Sequence, residues 1–155
     1  MTEVKWKNLL GKLRANQVVL TSMQAHDPMP VAKFCRESPH RTLGHLTACQ
    51  IAWLPLLKQI QSGDPKGSIP IHPYTLFENQ GFGTASWHEL ISRYAKGRED
   101  WIALVIIVDP RQEIKTAKRT WTLQTLTKRL VEHEINHLRE IRPEQIPAQS
   151  VKVKN

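Results

Sequence analysis

Cysteine is scarce in this chain, with only Cys35 and Cys49 among 155 residues. Two cysteines are too few for the disulfide framework of a small secreted domain, so we expect both to be reduced thiols. Long apolar runs are also lacking, because no stretch approaches the roughly 20 apolar residues of a membrane-spanning helix. The opening stretch MTEVKWKNLLGKLRANQVV has no apolar block of the kind found in signal peptides. These absences predict a cytoplasmic protein without a membrane partner.

Acidic residues are fewer than basic ones: the chain has 14 Asp and Glu and 22 Lys and Arg, which gives a net charge of +8. Such an excess attracts nucleic acid or anionic surfaces over a long range. The basic residues are scattered, however, and no recognition helix, zinc finger or ribonucleoprotein signature accompanies them. We therefore interpret the charge as a solvated basic surface and do not expect nucleic acid as a partner.

Apolar residues recur with helical spacing in four stretches of similar length. Four matched helices can bury their apolar stripes against one another, so the pattern predicts an all-α fold, a single four-helix bundle over residues 1–155. Connection 61–85 is rich in Pro and Gly and is expected to be a long loop between the second and third helices. The tail from about residue 143 is expected to pack loosely. The predicted helices span residues 4–23, 39–60, 86–108 and 123–141.

Capping residues support these boundaries. Ser38 and Pro39 form a common helix start, and Ser86 is the expected N-cap of the third helix. Either Thr122 or Thr120 is expected to cap the fourth helix. The segment ALVIIV, residues 103–108, has the β-branched composition of a strand, but we predict helix because it continues an amphipathic run and no pairing strand is evident.

The stretch RLVEHEINHLREI contains HExxH, the beginning of a metalloprotease signature in which Glu134 would be the general base. His133 and His137 are four residues apart, so on a helix they lie on one face about 6 Å apart along the axis and can share a metal ion. Proteases of this type need a third ligand further downstream. No histidine follows His137, and Glu140 stands where the extended motif has Gly, so a protease is the weaker interpretation.

A third ligand would have to come from a neighbouring helix facing inward. His45 is the best candidate, because it lies on the apolar stripe that also carries Cys49, Ala52 and Leu56. Three imidazoles would leave positions open for water or substrate, as in catalytic metal sites. A histidine pair can also arise by chance as a core or surface feature. The other histidines rank behind His45: His40, His72 and His88, with His26 as a plain surface residue.

Three stretches resemble the DinB-like (DinB/YfiT) superfamily of metal-binding four-helix bundles: RTLGHLTACQIAWLPLL, SWHELISRYAKGREDWIAL and TLQTLTKRLVEHEINHLREI. The most specific feature is one His early in the second helix combined with HxxxH late in the fourth. The resemblance implies that His45, His133 and His137 bind a divalent metal, zinc or nickel, and that the protein is a homodimer. It also implies a low-molecular-weight thiol cosubstrate. Many relatives carry Glu where this chain has Gln50.

Such a metal site would activate a thiol or water for transfer to, or hydrolysis of, a small-molecule substrate, as in a thiol S-transferase. A non-catalytic, stress-associated metal-binding bundle is the main alternative, ahead of a metalloprotease or a nucleic-acid binder. Several side chains are candidates for lining the pocket or supporting the ligands: Cys49, Gln50, Trp53, Glu134 and Asn136, with Tyr74 or Phe77 from the long connection.

Overall fold

The computed structural model describes residues 3–22, 39–62, 72–115 and 118–140. Those residues are mostly helical, with only two three-residue strands among them, which is consistent with the all-α prediction. Ser38, His26, Cys35 and the tail from residue 143, for which expectations were stated, lie outside the described residues. Within the described ranges the elements are α1 (Glu3–Ser22), α2 (Pro39–Ser62), α3 (Pro73–Asn79), α4 (Trp87–Val105), β1 (Glu113–Lys115), β2 (Thr120–Thr122) and α5 (Leu123–Glu140).

The four long helices, α1, α2, α4 and α5, correspond to the four predicted ones. Ser86 is the N-cap of α4, since its Oγ accepts a hydrogen bond from the Glu89 N–H at 3.2 Å. Thr122, the last residue of β2, caps α5, because its Oγ1 accepts a hydrogen bond from the Thr125 N–H at 3.1 Å. Thr120 lies at the start of β2. Helix α4 ends at Val105, three residues earlier than predicted, so residues 103–105 are helical and 106–108 are not. None of these six residues forms the strand that their composition allowed.

Both long connections contain structure that the sequence analysis did not predict. The expected loop 61–85 includes α3, which His72 caps by accepting the Tyr74 N–H at 3.2 Å. The connection between α4 and α5 forms an antiparallel hairpin in which β1 pairs with β2. A seven-residue helix and three-residue strands are too short to show a hydrophobic period, which explains why the sequence analysis missed them.

The core lies between the long helices: α2 contacts α4 and α5, and α1 contacts α4 and α5. It has two apolar clusters, and Trp53 of α2 packs against both. Each fully buried Leu or aromatic side chain contributes roughly 1.5–3 kcal/mol, so these clusters fix how α2 faces α5. Among the described helices, none has both the length and the apolar content needed to span a membrane.

Candidate metal centre

Three histidines from two helices converge on one point. His45 lies on α2, and His133 and His137 lie one turn apart on α5, which packs against α2. The His133 Nε2 is 3.2 Å from the His45 Nε2 and 3.1 Å from the His137 Nε2. The rings are edge-on to one another, with centroids 4.5 to 5.1 Å apart. The predicted third histidine is therefore in contact with the pair.

The spacing of these nitrogens fits a shared metal ion better than a set of hydrogen bonds. A neutral imidazole nitrogen carries either a hydrogen or a lone pair, so the His133 Nε2 can form one strong hydrogen bond and not two. Two nitrogens that each lie about 2.05 Å from a zinc ion are about 2.9 Å apart at a right angle and about 3.3 Å apart at the tetrahedral angle. The distances of 3.1 and 3.2 Å fall between these limits.

The environment also favours the uncharged form of His133. Burial, together with charge repulsion from the nearby His137, His45 and Arg129, lowers the pKa of His133 from 6.5 to about 4. Only a neutral imidazole has the free lone pair that a metal ligand needs. At neutral pH the site therefore holds His133 in its ligating form.

Cys49, one turn after His45 on α2, lies beside the histidines. The ligand atoms of His45, Cys49 and His133 all lie within 4.8 Å of one another. The Cys49 Sγ is 3.7 Å from the His45 Nε2 and 3.9 Å from its Nδ1. Because these two distances are nearly equal, the sulfur lies alongside the ring and not in front of the Nε2 lone pair. Burial raises the pKa of the Cys49 thiol to about 12, with Glu134 adding to the shift and Arg129 opposing it.

Glu134, the acid of the HExxH pattern, is completely buried away from solvent. Its carboxylate accepts hydrogen bonds from the Asn16 Nδ2 at 3.0 Å and the Tyr94 hydroxyl at 3.2 Å, and it pairs with the Arg98 guanidinium. Side chains of adjacent helix residues point about 100° apart, so Glu134 faces the core, whereas His133 faces the candidate centre. The carboxylate is committed to core partners and does not serve as a general base at the histidines.

Gln50 belongs to the same buried group of polar side chains. The Arg98 Nε donates to the Gln50 Oε1 at 2.7 Å, and the Gln50 Nε2 donates to the Tyr94 carbonyl at 2.9 Å. Arg98 also donates to the Leu13 carbonyl at 3.1 Å and to the Tyr94 hydroxyl at 2.9 Å. These contacts join all four long helices. We call this group the polar network: Asn16, Gln50, Tyr94, Arg98 and Glu134.

Sequence reasoning missed three members of the polar network, Asn16, Tyr94 and Arg98. One signal was present for Arg98, because it lies four residues after Tyr94 and three before Trp101 on the buried stripe of α4. An arginine on such a stripe needs a buried acidic partner. Glu134 is that acid in the structure, and sequence spacing alone could not pair two residues on different helices.

The remaining candidates have mixed surroundings. Trp53 is half-buried and meets Trp121 edge-on, with ring centroids 5.4 Å apart. Phe77 is half-buried and packs against Phe82, with centroids 6.2 Å apart. Other side chains named in the sequence analysis are solvent-exposed: Asn136, Tyr74, His72 and His88. The side chain of His40 lies outside the described part of the structure.

Comparisons with protein-family models, with curated proteins and with solved structures found no match to this chain. The resemblance to the DinB-like superfamily therefore rests on the three quoted sequence stretches and stays a prediction. What the structure adds is independent of that resemblance, namely the convergence of three imidazoles at the contact between α2 and α5, with the Cys49 thiol beside them.

Proposed function

We propose that the protein binds one divalent metal ion through His45, His133 and His137, and uses it in a transfer or hydrolysis reaction on a small molecule. The observation that carries this proposal is the approach of the His133 Nε2 to both other Nε2 atoms, at 3.2 and 3.1 Å. A bound divalent ion would lower the pKa of a thiol or a water and so supply a nucleophile at neutral pH. Imidazole ligands suit both zinc and nickel, the two metals we propose.

The proposal extends to the fold type and the setting. We propose that α1, α2, α4 and α5 form a four-helix bundle of the DinB-like type, acting in the cytoplasm as a homodimer. Two features support the bundle: the contacts of α2 and α1 with both α4 and α5, and the order of ligands, one early in α2 and two late in α5. Ligands projecting inward from facing helices are how such bundles build metal sites.

The position of Cys49 favours a catalyst over a passive metal binder. Three protein ligands leave a coordination position for substrate, whereas a fourth closes the site and makes it structural. The Cys49 sulfur lies alongside the His45 ring, 3.7 and 3.9 Å from its two nitrogens, and does not face the point where the imidazoles converge. A non-catalytic metal-binding bundle would require this sulfur to turn toward that point.

Metal stoichiometry tests the proposed centre. Chelator-treated wild type, His133→Ala and His88→Ala are equilibrated with zinc, dialysed and analysed for metal. His88 is an exposed histidine on α4 and is the matched control. We expect one zinc per chain in the wild type and in His88→Ala, and a large loss in His133→Ala. Zinc-free wild type, or full occupancy in His133→Ala, would contradict the proposal.

Catalysis needs a separate measurement. The metal-loaded protein is mixed with a small thiol and 1-chloro-2,4-dinitrobenzene, and thioether formation is followed with and without chelator. We expect a protein-dependent rate that the chelator abolishes and that Cys49→Ala retains, because Cys49 is not among the proposed ligands. A stoichiometric metal with no rate above background would favour the non-catalytic alternative.

A further inference from the structure

The candidate centre is one end of a longer strip between α2 and α5. Along α5, Arg129, His133 and His137 are spaced four residues apart and share one face. Along α2, His45, Cys49 and Trp53 follow the same spacing. One end of the strip therefore carries the three histidines. The other end carries Arg129, one helical turn or about 6 Å from His133 along α5, and Trp53, two turns or about 12 Å from His45 along α2.

The guanidinium of Arg129 is positioned by an aromatic ring. Its Cζ lies 5.5 Å from the centroid of Trp121, and Trp121 meets Trp53 edge-on at 5.4 Å. A cation over the face of Trp is held by roughly 0.5–1 kcal/mol when exposed. The aromatic contact thus holds the Arg129 cation at the same end of the strip as Trp53.

The charge of Arg129 is free to act on a ligand. The nearest acid along that face of α5, Glu132, pairs with Lys128 at 3.6 Å, and among the described residues no carboxylate forms an ion pair with Arg129. Arg129 lies one helical turn before His133 on the same face of α5, a rise of about 6 Å along the axis. Its positive charge therefore lies within electrostatic range of the histidines.

We propose that the ligand of this site carries a carboxylate that Arg129 binds, while its reacting group lies at the three histidines and its carbon chain lies against Trp53. This inference rests on the proposed metal centre. Arginine offers a planar pair of N–H donors that matches a carboxylate.

Two small thiols test the carboxylate contact. Protein loaded with cobalt(II) is titrated with 3-mercaptopropionate and with its methyl ester, and binding is followed by the cobalt–thiolate absorption. The test variant is Arg129→Gln. The matched control is Lys128→Gln, which removes the same charge from the preceding residue. The readout is the ratio of the two dissociation constants within each protein, so differences in overall stability or metal content cancel.

We expect wild type and Lys128→Gln to bind the acid about tenfold more tightly than the ester, and Arg129→Gln to bind the two alike. Arg129→Lys, which keeps the charge without the paired donors, should give an intermediate ratio.

Equal binding of acid and ester by the wild type overturns the inference, as does an unchanged ratio in Arg129→Gln or a failure of both thiols to bind. In those cases the absorption of bound cobalt would still show that the metal centre exists, so the proposed function would stand without the carboxylate contact. Absence of cobalt binding would instead overturn the proposed function itself.

Discussion

His133 is the residue on which the candidate centre depends, because its Nε2 approaches both other imidazoles. Its position four residues before His137 is given by the sequence and puts both side chains on one face of a helix. The apolar neighbours of His45 likewise indicated that it lies on the inward stripe of α2. The orientation of Glu134 could not be predicted in the same way. Its burial depends on Asn16, Tyr94 and Arg98, which lie on other helices and far away in sequence.

The protonation of His133 predicts how acid affects the metal-free protein. Burial, with repulsion from the neighbouring histidines and Arg129, lowers its pKa in the folded state from 6.5 to about 4. Between these two pH values the unfolded chain binds a proton that the folded chain does not, so the free energy of unfolding falls as the pH is lowered from about 6.5 to about 4. Thermal unfolding of chelator-treated protein at pH 7 and pH 4.5 measures the loss, and His133→Gln should show a smaller one.

His88→Gln is the control for this experiment, since His88 is exposed on α4. It should lose stability with acid as the wild type does. If His133→Gln and the wild type show the same loss between the two pH values, burial does not hold His133 in its neutral form.

At the scale of the helices, the polar network ties α5 to α1, α2 and α4. Arg98 and Glu134 are both fully buried, and a buried ion pair that loses one partner leaves an uncompensated charge in the core. Glu134→Ala should therefore lower the free energy of unfolding by about 3–5 kcal/mol in a urea titration. Glu132→Ala, which removes an exposed acid two residues earlier, should change it by less than about 0.5 kcal/mol. Similar effects for the two variants would contradict the assignment of the network.

The approach of α2 to α4 depends on Gly97. A Cβ at this position would lie 2.6 Å from the Gln50 Nε2, which is itself hydrogen-bonded to the Tyr94 carbonyl and cannot move without breaking that bond. We expect Gly97→Ala to destabilise the protein by roughly 1–3 kcal/mol. Gly11→Ala is the matched comparison, because a Cβ there meets nothing within 4 Å, and it should stabilise by about 0.5–1 kcal/mol. Chemical denaturation of both variants checks the signs, and a stabilising Gly97→Ala would contradict the close contact.

The elements themselves were predictable to different degrees. The four long helices repeat their apolar stripe over several turns, so their existence could be predicted, as could the caps at Ser86 and Thr122. Helix α3 and the hairpin of β1 and β2 are held by tertiary contacts and local turns and leave no period in the sequence. Composition therefore indicated a loop where the chain forms a short helix.

For the whole molecule, the central claim is that the fold brings one donor from α2 and two from α5 to a single point. A metal ion there would join two helices that are separated by much of the chain, and its binding energy would add to the stability of the folded state. In the proposed centre the protein supplies three nitrogen ligands and leaves Cys49 outside the coordination sphere, so that a position stays open for substrate.

X-ray absorption spectroscopy of the zinc-loaded protein tests this most directly, because it reports the kind, number and distance of the ligands. We predict three imidazole nitrogens at about 2.0–2.1 Å with one further light atom, and the same spectrum for Cys49→Ser. A sulfur at about 2.3 Å would contradict the open site, and fewer than three imidazoles would contradict the metal centre formed by His45, His133 and His137.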